Sequence, residues 1–129
     1  MHVEHIAMWT SDLSRCTRFY TMYFDAVAGP NYQNVAKGFE SCFLSFSSGA
    51  RLEVMTTSSL PLVNVAPGAE RHGLTHLAIS VGSESLVDTL TERLRADGIA
   101  VIDGPRRTGD GYYESVVLDP DGNRIEICR

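Results

Sequence analysis

Long apolar runs are missing from this 129-residue chain. None approaches the roughly 18 residues that a membrane-spanning helix needs, so no membrane association is expected. Clusters of lysine and arginine are missing as well. With a formal charge of -5, the chain is a poor partner for nucleic acid or an anionic lipid surface. Cysteine is scarce: Cys16, Cys42 and Cys128 are an odd number with no C-x-x-C spacing. That argues against a disulfide framework or a cysteine-based zinc knuckle. The opening MHVEHIAMW is acidic and lacks the shape of a secretion signal. A reducing cytoplasm is the expected compartment.

What remains is an ordinary globular composition, 43% apolar and 21% charged, on a length that suits one domain or two small halves sharing a core. The halves are visible as a repeat. HIA at His5 to Ala7 returns as HLA at His76 to Ala78, and GARLEV at residues 49–54 returns as GNRIEI at residues 122–127. The order is His, about fifty residues, Glu, then the same again. Two copies are too few for a solenoid and indicate a duplicated unit.

Each copy has the same grammar. A short strand comes first, HVEHIAMW and then LTHLAISV. A helix follows. In the first copy Ser11 or Asp12 can cap it, and Leu13, Cys16, Tyr20, Tyr23 and Val27 recur at helical spacing. In the second, Ser83 can cap, Leu86, Val87, Leu90 and Leu94 form the stripe, and Gly98 ends it. Three short strands close each unit. In copy two they are IAVID, YYESVVL, the turn DPDG, and NRIEIC. In copy one they are a weak strand near Tyr32 to Val35, SCFLSF, the turn SSGA, and RLEVM. The expected fold class is α+β: a βαβββ module at about 1–56, a linker at about 57–73 and a second module at about 74–129, together one domain.

Strand side chains alternate. Ile125 and Ile127 share the face that packs under the helix, so Glu126 projects from the other face. Glu53 does the same opposite Leu52 and Val54. His76 stands opposite Leu77, Ile79 and Val81, and His5 shares its face with Val3, Ala7 and Trp9. A lone His or Glu on a strand face is most often a wet polar residue. Two of each, at matched positions of a repeat and matched parity, instead suit a divalent metal. Imidazole nitrogens and carboxylate oxygens fit zinc, nickel, cobalt, iron or manganese.

At these residues the chain resembles the vicinal oxygen chelate superfamily, which includes glyoxalase I, methylmalonyl-CoA epimerase, extradiol dioxygenases, fosfomycin-resistance thiol transferases and bleomycin-binding proteins. The most specific parts are GLTHLAISV, DPDGNRIEI and the His/Glu/His/Glu order. The resemblance implies paired βαβββ modules whose curved sheets enclose a metal held by His5, Glu53, His76 and Glu126, the quartet of glyoxalase I. Epimerases carry Gln where this chain has Glu53. Extradiol dioxygenases and fosfomycin enzymes use two His and one Glu, and bleomycin binders lack the ligands.

One departure concerns substrate. Glyoxalase I usually has an arginine four residues after the first ligand, for a glutathione carboxylate, and here that place is Trp9. Arg106 or Arg107, in GPRRTGDG, could supply an anion contact where glyoxalase I often has a lysine. The hairpin DPDG, taken as a four-residue turn, sets Ser115 across from Glu126 with Tyr113 on the same face. The repeat likewise sets Cys42 across from Glu53, as a space-filling thiol.

The implied activity is a metal-dependent 1,2-proton shift on an α-hydroxy carbonyl or hemithioacetal. Glu126 is the expected base and Glu53 its counterpart for the opposite hand of substrate. The implied partner is a small molecule, and the expected assembly a homodimer whose sites form within a chain or between chains. The alternatives are a binding or sequestering protein on the same scaffold, without turnover, and an epimerase or dioxygenase reaction.

Overall fold

The computed structural model describes residues 1–61 and 65–129. The chain divides into two compact units, Met1–Asn64 and Val65–Arg129. The fold is α+β, with two curved sheets and few helices.

In the first unit, β1 (His5–Trp9) leads into α1 (Leu13–Tyr23), followed by β2 (Val27–Ala28), β3 (Tyr32–Asn34), a 3-10 turn at Val35–Lys37, β4 (Phe39–Ser45) and β5 (Arg51–Thr57). Asp12 caps α1, its side chain accepting from the Arg15 amide at 2.9 Å. The helix ends earlier than its apolar spacing suggests. Asp25 takes φ +52, a left-handed conformation that breaks the helix, and Val27 moves into β2. Leu13, Cys16, Phe19 and Tyr20 of α1 pack on buried Cys42 and Leu44 of β4 and on Leu52 and Val54 of β5. The sheet order is β1-β5-β4-β2, with β3 also on β4, and β1 runs parallel to β5.

The second unit is β6 (Leu77–Ser80), α2 (Glu84–Ala96), β7 (Val101–Arg107), β8 (Tyr113–Leu118) and β9 (Arg124–Cys128), in the order β6-β9-β8-β7. Ser83 caps α2 through the Leu86 amide, and Gly98, at φ +80, follows its end. Val87, Thr91 and Leu94 of α2, with Val117, Ile125 and Ile127 of the sheet, are fully buried. β7 reaches further than expected, taking in Gly104, Pro105, Arg106 and Arg107. Gly104 permits this. It has φ +76, and a Cβ there would lie 2.5 Å from the Glu114 carbonyl oxygen, so only glycine lets β7 come this close to β8.

The expected linker is shorter than its composition suggests. Thr57 still belongs to β5. Beyond the undescribed residues 62–64, which fall in the expected linker, the chain is tied to the second unit: the Gly68 amide donates to the Gly122 carbonyl at 2.9 Å, and Arg124 donates to the Gly68 carbonyl at 3.0 Å.

Candidate metal centre

The parallel pairing of first strand with last brings His and Glu together in each unit. In the first, Ala7 is the register partner of Glu53, two residues along the same face from His5. The His5 Nε2 stands 3.8 Å from Glu53 Oε2. In the second, Ala78 partners Glu126, and His76, just ahead of β6, has its Nε2 3.3 Å from Glu126 Oε2. The two glutamates are largely covered, at 17% and 16% side-chain exposure, and the two histidines are near 40%.

The spacing within each pair suits two donors to one divalent ion. Two donors, each about 2.0–2.2 Å from one ion and subtending roughly 100–120° there, lie about 3.1–3.8 Å apart. Both pairs fall in that interval. Each pair by itself supplies two donors. Among the described residues no group of three or more His, Cys, Asp or Glu forms a cluster able to hold a metal.

Around His5 the structure adds a residue the sequence pattern did not single out. Glu4 Oε2 accepts from His5 Nδ1, and the other oxygen of the same carboxylate accepts from Arg51. The His5 and Arg51 hydrogen bonds hold the Glu4 carboxyl below its ordinary pKa. Arg51 also lies over the Phe43 ring, 4.2 Å from its centroid, and Phe43 meets the His5 ring edge-on at 5.3 Å. Trp9 is on the His5 face, half-exposed and edge-on to Phe39 at 6.2 Å, and Phe39 in turn meets Tyr32 at 6.2 Å.

Three expectations about neighbours are corrected by hairpin register. The β8–β9 connection is a three-residue loop, Pro120 to Gly122, because Asp119 pairs with Asn123: its amide donates to the Asn123 carbonyl at 2.9 Å. The Asp119 carboxylate fixes the turn by accepting from the amides of Asp121 and Asn123. One residue fewer in the loop shifts every partner by one. Val116, not Ser115, therefore stands opposite Glu126, and Ser115 stands opposite Ile127. Ser115 faces α2, fully buried, with its hydroxyl 2.6 Å from that of Thr91. Tyr113 follows it, donating to Asp88 of α2 at 2.7 Å.

Arg107 pairs with Tyr113 across β7 and β8 and bridges to Glu84 at 2.8 Å, away from Glu126. In the first unit Phe43 is opposite Glu53, while Cys42 is opposite Val54 on the helix side. The Cys42 thiol donates to the Gly29 carbonyl, and burial pushes its pKa up.

The same shift places Glu114 and Arg106 on the Glu126 face. Glu114 is nearly buried. Its pKa is raised, first by burial and then by the charge of Glu126 and a hydrogen bond with it. Arg106 faces both Glu114, at 3.2 Å, and Asp103, at 2.7 Å. The signal for Glu114 was present in YYESVV, two residues from Val116, and was hidden by the assumed turn length.

Comparison with known proteins gives a consistent picture. A family model described as the Glyoxalase/Bleomycin resistance protein/Dioxygenase superfamily matches residues 2–127. An uncharacterized protein of Bacillus subtilis, YqjT, is 29% identical over 97% of this chain and 96% of its own length. Among solved structures, a glyoxylase/bleomycin resistance protein/dioxygenase domain from Frankia superposes with a TM-score of 0.82 at 21% identity, covering 99% of this chain and 96% of that one. Glyoxalase I from Zea mays superposes at 0.78 and 20% identity, covering 98% of this chain and 44% of the maize chain.

Proposed function

The chain belongs to the Glyoxalase/Bleomycin resistance protein/Dioxygenase superfamily, and on that premise we propose that it is a metal-dependent lyase or isomerase of the glyoxalase I kind. Its reaction is a 1,2-proton shift on an α-hydroxy carbonyl or hemithioacetal. The observation that carries this reading is the repeated pair: a His Nε2 and a Glu Oε2 at 3.8 Å in one unit and 3.3 Å in the other. Superfamily members commonly bind divalent metals, and glyoxalase-like homologues act on small molecules and often form dimers. In this proposal His5 and Glu53 of one chain join His76 and Glu126 of a second in a two-fold homodimer.

The ion, when bound, supplies Lewis-acid polarisation of the substrate carbonyl, which acidifies the neighbouring C–H. Glu126 takes that proton on its carboxylate and returns it to the adjacent carbon as a general base and then acid. Glu114, its pKa raised by burial and by the nearby Glu126 charge, and Arg106, 3.2 Å from Glu114, stand on the same sheet face as Glu126. Glu53 performs the same transfer for substrate of the opposite hand.

A second reading, small-molecule binding without turnover, is favoured by one feature. Trp9, Phe39 and Tyr32 form an aromatic row on the sheet face that carries His5, suited to stacking a flat apolar compound. Turnover of methylglyoxal hemithioacetals of several thiols, after chelation and with metals added back singly, separates the two. Metal-dependent lactoyl thioester formation supports the enzyme. Tight ligand binding with no turnover under any metal supports the binder.

A further inference from the structure

The two half-sites are not equivalent, and the difference lies behind the histidine. Arg51 and Arg124 occupy the same place in the repeat, two residues before Glu53 and Glu126. Arg51 engages Glu4, while Arg124 reaches the Gly68 carbonyl at 3.0 Å and Glu70 at 3.6 Å. The repeat counterpart of Glu4 is Thr75, which has no carboxylate to offer His76.

We propose that Glu4, clamped by Arg51, is a positioning residue that fixes the His5 imidazole as its Nδ1–H tautomer and so presents Nε2 as a lone-pair donor beside Glu53. A carboxylate only accepts hydrogen bonds, so the His5 nitrogen facing Glu4 must carry the proton. The neutral ring then has its lone pair on Nε2, the atom that faces Glu53. Glu4 is itself held at two points. Its backbone carbonyl accepts from the Arg51 amide at 3.0 Å, and its side chain accepts from the Arg51 guanidinium. The Arg51 side chain is in turn laid across Phe43, whose ring abuts His5. Ring orientation and tautomer are therefore set together, before any ion arrives. Among the described residues His76 has no carboxylate placed behind it in this way, so the chain has one pre-aligned and one adaptable imidazole.

This inference rests on the proposed function only in taking Nε2 for the metal-facing atom, and its test keeps the two apart. In metal-free protein, at a pH where the imidazoles are neutral, long-range 1H–15N spectra read each ring's tautomer. His5 is expected as Nδ1–H in the wild type and shifted toward Nε2–H in Glu4→Ala, with His76 signals unmoved as the folding control. Glu4→Gln keeps an oxygen acceptor and should restore the wild-type tautomer, and Arg51→Met should shift it part of the way. Affinity for Zn2+ alone, by competition with a chromophoric chelator, should fall about 10–100-fold in Glu4→Ala, the range for losing a partner behind a metal-bound histidine. A His5 tautomer unchanged by Glu4→Ala, or a Zn2+ affinity within about threefold of wild type, overturns the inference. If the wild type takes up no Zn2+, zinc is removed as the ion of the proposed site, and the tautomer result alone still decides the role of Glu4.

Discussion

His76 Nε2 and Glu126 Oε2 stand 3.3 Å apart although fifty positions of sequence separate them, joined by the parallel pairing of β6 with β9. If this pair and its counterpart hold one ion, each member matters to metal content. His76→Ala and His5→Ala should both purify with much less metal than wild type, by plasma mass spectrometry at equal protein. Full metal content in His5→Ala would remove His5, and with it the shared quartet.

Glu126→Gln tests the proton transfer. With metal saturating, kcat should fall about 10²–10⁴-fold, the contribution typical of a positioned general base, while substrate affinity changes little. A loss below about tenfold assigns the base elsewhere, and Glu53→Gln becomes the next variant to measure.

A shared site predicts complementation. Mixing His5→Ala with Glu126→Gln chains gives heterodimers with one doubly damaged site and one intact site. The mixture should be far more active than either parent once subunits exchange. A mixture no more active than its parents, with exchange demonstrated by mass spectrometry, rejects ligands drawn from two chains.

Thr91 and Ser115 should respond unequally to removal. Thr91 donates to the Val87 carbonyl at 2.6 Å, and its oxygen lies 2.6 Å from the Ser115 hydroxyl, in hydrogen-bond contact. Thr91→Val leaves the buried Ser115 hydroxyl without that partner and should cost about 1–3 kcal/mol. Ser115→Ala leaves Thr91 bonded to Val87 and should cost only about 0.5–1.5 kcal/mol. Urea midpoints decide between them, and equal losses would show that the Ser115 hydroxyl is satisfied by another route. Because Ser115 faces α2, Ser115→Ala should also leave turnover near wild type.

Glu114 should give the metal-free protein a pH-dependent stability. Burial and the neighbouring Glu126 raise its pKa above the ordinary 4.5. A carboxyl raised on folding stabilises the folded state when protonated. Its contribution is complete below the unfolded pKa and is lost as pH rises through the folded one. Glu114→Gln should therefore flatten the fall in stability above about pH 4.5, measured with a chelator present. A variant whose pH curve runs parallel to wild type would show that Glu114 does not carry this dependence.

What could be read from the sequence was whatever depends on alternation alone. Period two within RIEI puts Glu126 opposite Ile125 and Ile127 whatever the turn does, and the structure has those isoleucines fully buried and Glu126 beside His76. The residue across a hairpin depends instead on loop length. Taking DPDG as four turn residues rather than three moved Ser115 onto the wrong face and hid Glu114. Arg107 was misplaced for a related reason: GPRR looks like a loop by composition, and only the close approach allowed by Gly104 makes it strand. Glu4 was legible only as the neighbour of His5. Its bond to Arg51 needs the β1–β5 register, which no local pattern specifies.

The parallel closure of each unit also has a kinetic meaning. Each His sits at the first strand and its Glu on the last, so the two donors meet only when the whole intervening chain has been looped and ordered. Such long-separation contacts are costly in entropy and form late. A growing second unit that has not yet added β9 has His76 but no Glu126 beside it. Assembly of either His/Glu pair would thus require its unit to have finished folding, and an immature unit would offer only one of its two donors.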